Sequence, residues 1–250
     1  MIYFIIIILL ILLCLWYYNK YESFDDLKNN IFLSKNDIIH FINNDSDNYL
    51  SNLSSADLFA RNVNNINDYK NNIINNIYNL SKKEKKRLYN LYNTSNNILS
   101  KKYIDIANVK CKIAITTKNI YENGLPHTRS NIIFLSNNML DYSDVEIIKT
   151  LIHEKIHIFQ RYNPYHKYII DFLDNNGFKR FMKRNEYIKT YPLLRSNPDL
   201  DEWIYIDKFN TLSCSYNSNK PKSITDVNCN QLNEHPFEMM AYDITNSIII

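Results

Sequence analysis

The stretch "TLIHEKIHIFQRYNP", Thr150 to Pro164, holds two of the six histidines in a chain of 250 residues. His153 and His157 are four positions apart, and Glu154 directly follows the first. Leu151, Ile152, Ile156, Ile158 and Phe159 surround them, so the segment reads as a strongly apolar, buried helix. On a helix, side chains four apart lie one above the other, with Cβ atoms ~5–6 Å from each other. Both imidazoles can then reach one divalent cation. Glu154 is turned by about 100° from His153, which keeps it off the ion but beside it. Two imidazoles and a carboxylate buried without partners cost several kcal/mol, and a zinc ion is the simplest partner. A histidine-glutamate-x-x-histidine pattern arises by chance only about 0.005 times in a chain of this composition. The plainer alternative is a core helix whose histidines bond carbonyl oxygens. A di-iron bundle would need a second glutamate-x-x-histidine, which the sequence lacks.

Two histidines leave a zinc site incomplete. A third histidine six residues on is absent, since Asn163 stands there, and a glutamate some twenty residues on is absent, since Gly177 stands there. Glu186 is the nearest downstream glutamate, in a polar stretch expected to be exposed. "NEHPFEMMAYD", Asn233 to Asp243, offers the better candidate, Glu238, near the start of a helix opened by Pro236. Ala241, one turn on, is small enough to let that helix approach the histidine helix closely. Glu234, His235 and His166 are the rivals. Glu154 is placed to take a proton from a metal-activated water. Tyr242, His127 and Tyr162 are candidate donors to an oxyanion, with Tyr242 preferred because it lies one turn beyond Glu238. Asp243 or Asp171 could orient a histidine ligand.

His153-Glu154-x-x-His157 with the distant Glu238-x-x-Ala241 resembles the zincin metallopeptidases, in the gluzincin branch whose third ligand is a glutamate. The resemblance covers about residues 105–250. It implies a zinc cofactor bound by His153, His157 and Glu238, a peptide or protein substrate, and amide hydrolysis with Glu154 as general base. It also implies that "NIIFLS", from Asn131, is the edge strand on which an extended substrate pairs. A zincin-like module that has lost catalysis is the alternative, and the intact Glu154 speaks against it.

Outward from this motif, "CKIAITT" from Cys111 and "NIIFLS" read as strands, with turn residues "NGLPHT" between them. "SDVE" at Ser143 and "SKKE" at Ser81 have the form of capping boxes opening helices. Leu58, Val63, Ile66, Tyr69, Ile73 and Ile77 fall on one helical face. "WIYID" and "TLSCSY" read as a hairpin. Cys214 and Cys229 could pair across a loop or stay separate thiols. The first eighteen residues carry no charged side chain. They predict an uncleaved single-pass membrane anchor, with the membrane met through residues 2–18 and its side undetermined. The expected fold is thus α+β and mainly helical: a transmembrane helix at 1–18, a helical spacer or subdomain at 19–104, and a zincin-like catalytic domain with a small sheet at 105–250. The net charge of +3 gives no reason to expect nucleic acid as a partner. Asparagine is abundant against two glycines, a bias of composition rather than of function.

Overall fold

The two apolar runs form strands that are buried on both faces. Lys112–Thr116 (β1) pairs in parallel with Ile132–Ser136 (β3), and His127–Arg129 (β2) adds antiparallel to the other side of β3. Successive strand residues face opposite ways. Ile113, Ile115, Ile133 and Leu135 therefore enter one core, while Ala114, Ile132 and Phe134 enter a second. A sheet covered on both sides needs apolar residues at nearly every position, and that is why these runs do not alternate with polar ones. The computed structural model from which this follows describes residues 10–13, 31–208, 210–229 and 234–248.

Helices supply both covers. Lys35–Asn44 (α1), Ser55–Ala60 (α2) and Ile66–Asn75 (α3) bury Ile38, Ile42, Leu58, Tyr69 and Ile73 in the second core. The single amphipathic face expected over residues 58–77 is split between α2 and α3. The chain breaks between them, with Asn62 in the left-handed region at φ 58°, yet Leu58, Val63, Tyr69 and Ile73 stay buried, with Ile66 and Ile77 half-buried against the same core. On the other side lie Lys82–Ser100 (α4) and Ile104–Ala107 (α5), followed after the sheet by Asp144–Tyr162 (α6). Both expected capping boxes are formed: Ser81 with Glu84 opens α4, and Ser143 with Glu146 opens α6. Leu88, Leu91 and Leu99 of α4 share one core with Ile152 and Ile156 of α6.

Lys167–Asn176 (α7) ends at Gly177, whose φ of 71° caps the helix in the left-handed conformation. A second sheet follows, in the order Lys179–Lys183 (β4), Trp203–Ile206 (β5), Thr211–Leu212 (β6), with Arg184–Thr190 (α8) inserted after β4. Of the expected hairpin, β5 and β6 pair, but Cys214–Tyr216 (β7) leaves to pair with Val227–Cys229 (β8). Cys214 and Cys229 face each other in that register and form a disulfide. Closing a loop of this length stabilises the fold by about 3 kcal/mol. Pro236–Ser247 (α9) closes the described chain, with Pro236 in its first turn.

Two expectations need correction. The fold is mixed α/β, with helices and three small sheets among the described residues, because the β1–β3 pairing is parallel. The expected transmembrane helix is not supported: no helix among the described residues is long and apolar enough to cross a membrane. Of the segment 1–18 read as an anchor, residues 10–13 are described and helical, and the others lie outside the described residues. The expectation rests on an uncharged run ending in Trp16, Tyr17 and Tyr18, and a run of eighteen sits at the lower limit of what can span a hydrocarbon core. The second correction concerns the sheet edge. "NIIFLS" is β3, hydrogen-bonded on both sides, so it cannot receive a substrate strand; the outer strands are β1, bridged on its far side at Ile113 and Thr116, and β2.

Candidate metal centre

α6 carries His153, Glu154 and His157 into the molecule because Ile147, Leu151, Ile152, Ile156 and Phe159 anchor the helix in the core. α9 packs on α6 in the same core, with Ala241 fully buried between them. That approach sets Glu238, in the first turn of α9, against the two imidazoles. The Nε2 atoms of His153 and His157 are 3.0 Å apart. Glu238 Oε2 lies 3.4 Å from the first and 3.5 Å from the second. Zinc bonds of ~2.0–2.1 Å at tetrahedral angles would put neighbouring ligand atoms about 3.3 Å apart. The three donors therefore match one face of a zinc tetrahedron, with the fourth direction open to the cleft.

The tautomer of His157 follows from a chain of hydrogen bonds. Gln160 Nε2 donates to the carbonyl of Phe237 at 3.0 Å, which fixes the flip of the amide. Gln160 Oε1 then faces His157 Nδ1 at 3.0 Å and can only accept. The neutral ring therefore keeps its proton on Nδ1, so the lone pair uncovered when the other proton leaves is that of Nε2, which faces the site. Gln160, fully buried, was not foreseen as a functional residue; its place three positions after His157, on the same helical face, was the available signal. Neither aspartate proposed for this task performs it. Asp243 is exposed, and Asp171 pairs with Lys167 on the surface of α7. Replacing Gln160 by Met strands the Nδ1 proton and the Phe237 carbonyl. Zinc affinity should fall by roughly 10–100-fold, and the fold should lose about 1–3 kcal/mol. Competition with a fluorescent chelator and a thermal melt would read the two effects, and unchanged affinity would remove Gln160 from the site.

The rival ligands are engaged elsewhere. Glu234 pairs with Arg195. His235 caps α9 through Nδ1 and turns Nε2 to Asp201 and the Trp203 carbonyl. His166 caps α7 and pairs with Asp105. Glu186 pairs with Lys189 at the surface. Asn197 donates to Glu238 Oε1 at 3.3 Å, leaving Oε2 for the imidazoles.

Glu154 stands beside the donors in a cleft of about 520 Å³. It is only 3% exposed, and no described group donates to its Oε2. Burial, then the charges of Asp199 and Glu238, hold its carboxyl well above the usual range. Tyr242 lies over His153, ring centres 4.6 Å apart, and stays half exposed in the cleft. Burial and then Glu238 raise its phenol, so it keeps its proton. His127 also lines the cleft, with Nδ1 on the Leu125 carbonyl and a buried Nε2 that has no described partner. Tyr162 is elsewhere, exposed and bonded to Ser130. No protein-family model, curated protein or solved structure matches this chain.

Proposed function

We propose that this chain is a zinc-dependent peptidase that hydrolyses peptide bonds. One observation carries the reading: three donor atoms spaced like the face of a zinc tetrahedron, with the free oxygen of a buried glutamate beside them. His153, His157 and Glu238 would hold the ion. Zinc, when bound, lowers the pKa of a coordinated water towards neutrality and polarises a carbonyl.

The chain's own residues do the rest. Glu154 Oε2 has no described protein partner, so it is free to accept a proton and return it to the departing nitrogen. Its raised pKa means that the carboxylate holds an accepted proton more firmly than an ordinary one would. The Tyr242 phenol, protonated and facing the cleft, can donate to a developing oxyanion. Gln160 keeps His157 in the tautomer that presents a lone pair. A purely structural zinc site has four protein ligands and no use for an unpaired buried carboxylate.

Metal analysis of the full chain, with peptide hydrolysis measured before and after chelation, tests the proposal. Stoichiometric zinc is expected, with activity lost on chelation and restored by zinc. A protein that holds no zinc defeats the proposal. One that holds zinc and cleaves nothing is a zincin-like binding module instead.

A further inference from the structure

Resting on the metal-centre reading above, we propose that the cleft takes peptides by their free amino terminus. Asp199 receives the α-ammonium group, and the bond cut lies next to that end. Water adds across the bond, hydroxyl to the carbonyl carbon and hydrogen to the leaving nitrogen, and the amino-terminal fragment departs.

The first observation is that the free edge of β2 is sealed from Thr128 onward. Thr128 turns its backbone away from β3, and its N–H donates to Asp199 Oδ1 at 2.6 Å. The Thr128 hydroxyl donates to the same oxygen at 2.7 Å. Arg161 donates to the Ser130 carbonyl at 2.8 Å and the Pro198 carbonyl at 2.7 Å. The segment 195–199 is thereby strapped against the edge. Its near end is fixed as firmly: Ser196 donates through N–H and hydroxyl to the fully buried Asp57, each at 2.9 Å. No substrate strand can pair with β2 at Thr128 or beyond. Leu125, Pro126 and His127, by contrast, line the cleft together with His153 and Glu154, and of the backbone there Pro126 offers a bound chain its carbonyl alone, having no N–H.

The second observation is polarity. A peptide lying antiparallel to β2 points its amino end towards residue 128 and its carboxyl end towards residue 125. The seal then meets the amino end, and the rest of the peptide runs out past Leu125. A parallel peptide would instead bring its terminal carboxylate to the seal.

Charge decides between the two. Four glutamates share the cleft wall with Asp199. Glu122 is held by Arg61 and Tyr69, Glu234 by Arg195, and Glu238 by the histidines. Glu154 is the base. That leaves Asp199, whose two hydrogen bonds both fall on Oδ1. Its other oxygen is an acceptor for an ammonium group, which has three protons to give; the guanidinium of Arg161, whose charge reaches Asp199, spends its own donors on Thr128, Ser130 and Pro198. A carboxylate brought to the same place would face Asp199 and Glu154 together. His127 Nε2, buried without a described partner on the same wall, is a further polar group that a bound backbone could satisfy.

The test uses the zinc-loaded full chain and one hexapeptide with a free or an acetylated amino terminus. The free peptide should be cut near its amino end, with kcat/KM at least roughly tenfold above the acetylated form. Asp199→Asn keeps the contacts to Thr128 in shape and removes the charge. It should cut that preference to about twofold or less, mainly through KM. Leucinamide and N-acetyl-leucinamide, titrated calorimetrically, give a readout apart from turnover: the first should bind at least about tenfold tighter, and only to the wild type. If Asp199→Asn does not fold, the wild-type comparisons alone decide. Equal cleavage of both peptides, cuts in the interior, or a zinc-loaded protein that neither cuts the free peptide nor binds leucinamide overturns the inference. Absence of zinc overturns the metal-centre reading, and this one with it.

Discussion

Glu154→Gln should keep stoichiometric zinc and lose turnover, with kcat falling by roughly 10³-fold or more. The substitution preserves the shape of a side chain that is 3% exposed. It leaves His153, His157 and Glu238 in place, so the ion has the same three donors. What changes is the atom facing the cleft. An amide cannot accept the proton that the carboxylate Oε2 can. The fold should not suffer. Wild-type Glu154 is a buried carboxyl crowded by the charges of Asp199 and Glu238, and removing its charge relieves that repulsion. The melting temperature of the variant should therefore equal or exceed that of the wild type. Metal analysis, a melt and a peptide assay on one preparation read all three quantities. A variant that kept a tenth of the activity would show that Glu154 is not the base.

The spacing of His153 and His157 was legible because helical geometry is local: four residues on a helix fix the distance between two side chains whatever surrounds them. The capping boxes at Ser81 and Ser143, the cap at Gly177 and Pro236 in the first turn of α9 were legible for the same reason. Glu238 is a different kind of case. Its contact with residues some eighty positions away depends on how two helices pack, and only the small Ala241 hinted at a close approach. β2 was hidden altogether. Three residues are too few for a period, and the segment around it carries turn residues, with Asn123 and Gly124 both at positive φ. Mistaking β3 for the edge followed from missing β2. Asp199 and the strap at 195–199 had no signature either, since "RSNPD" reads as an ordinary turn and its partners Asp57, Thr128 and Arg161 come from three distant elements.

The strap and the metal centre also depend on each other. Asn197, in the middle of the strap, donates to Glu238 Oε1 and to Glu234 Oε2. Arg195, at its start, pairs with Glu234 and bonds the Cys214 carbonyl through its backbone N–H. The disulfide between Cys214 and Cys229 lines the same cleft. One wall thus holds Glu238 in orientation, closes the strand edge and is itself cross-linked. The rigid backing of a carboxylate on a helix's first turn comes here from this wall as well as from α9.

Glu238→Ala should lower zinc affinity by roughly 10³-fold or more, since two imidazoles alone make a poor site. It should also change how the metal-free protein responds to pH. Burial opposes the charged form of His157, but the Glu238 carboxylate outweighs it and lifts the imidazole from 6.5 to about 9. A folded-state pKa above the unfolded one contributes stability that is complete below 6.5 and lost as pH rises through about 9. Glu238 is shifted the other way: burial raises it, and His157 then His153 pull it well below 4.5. Its contribution is present above 4.5 and disappears as pH falls through its folded value. The metal-free wild type should thus melt highest between these limits and lose stability from about pH 6.5 to 9. Over the same window zinc must displace a proton from His157, so its apparent affinity should rise by about tenfold per pH unit. Alanine at 238 removes the largest of the charges that raise His157, so its imidazole falls back from about 9. Both slopes should then flatten. Melts of chelator-treated protein from pH 6 to 9.5, with zinc titrations in two buffers of different ionisation enthalpy, would measure them. Identical slopes in wild type and variant would mean that Glu238 and His157 do not share the site that the geometry describes.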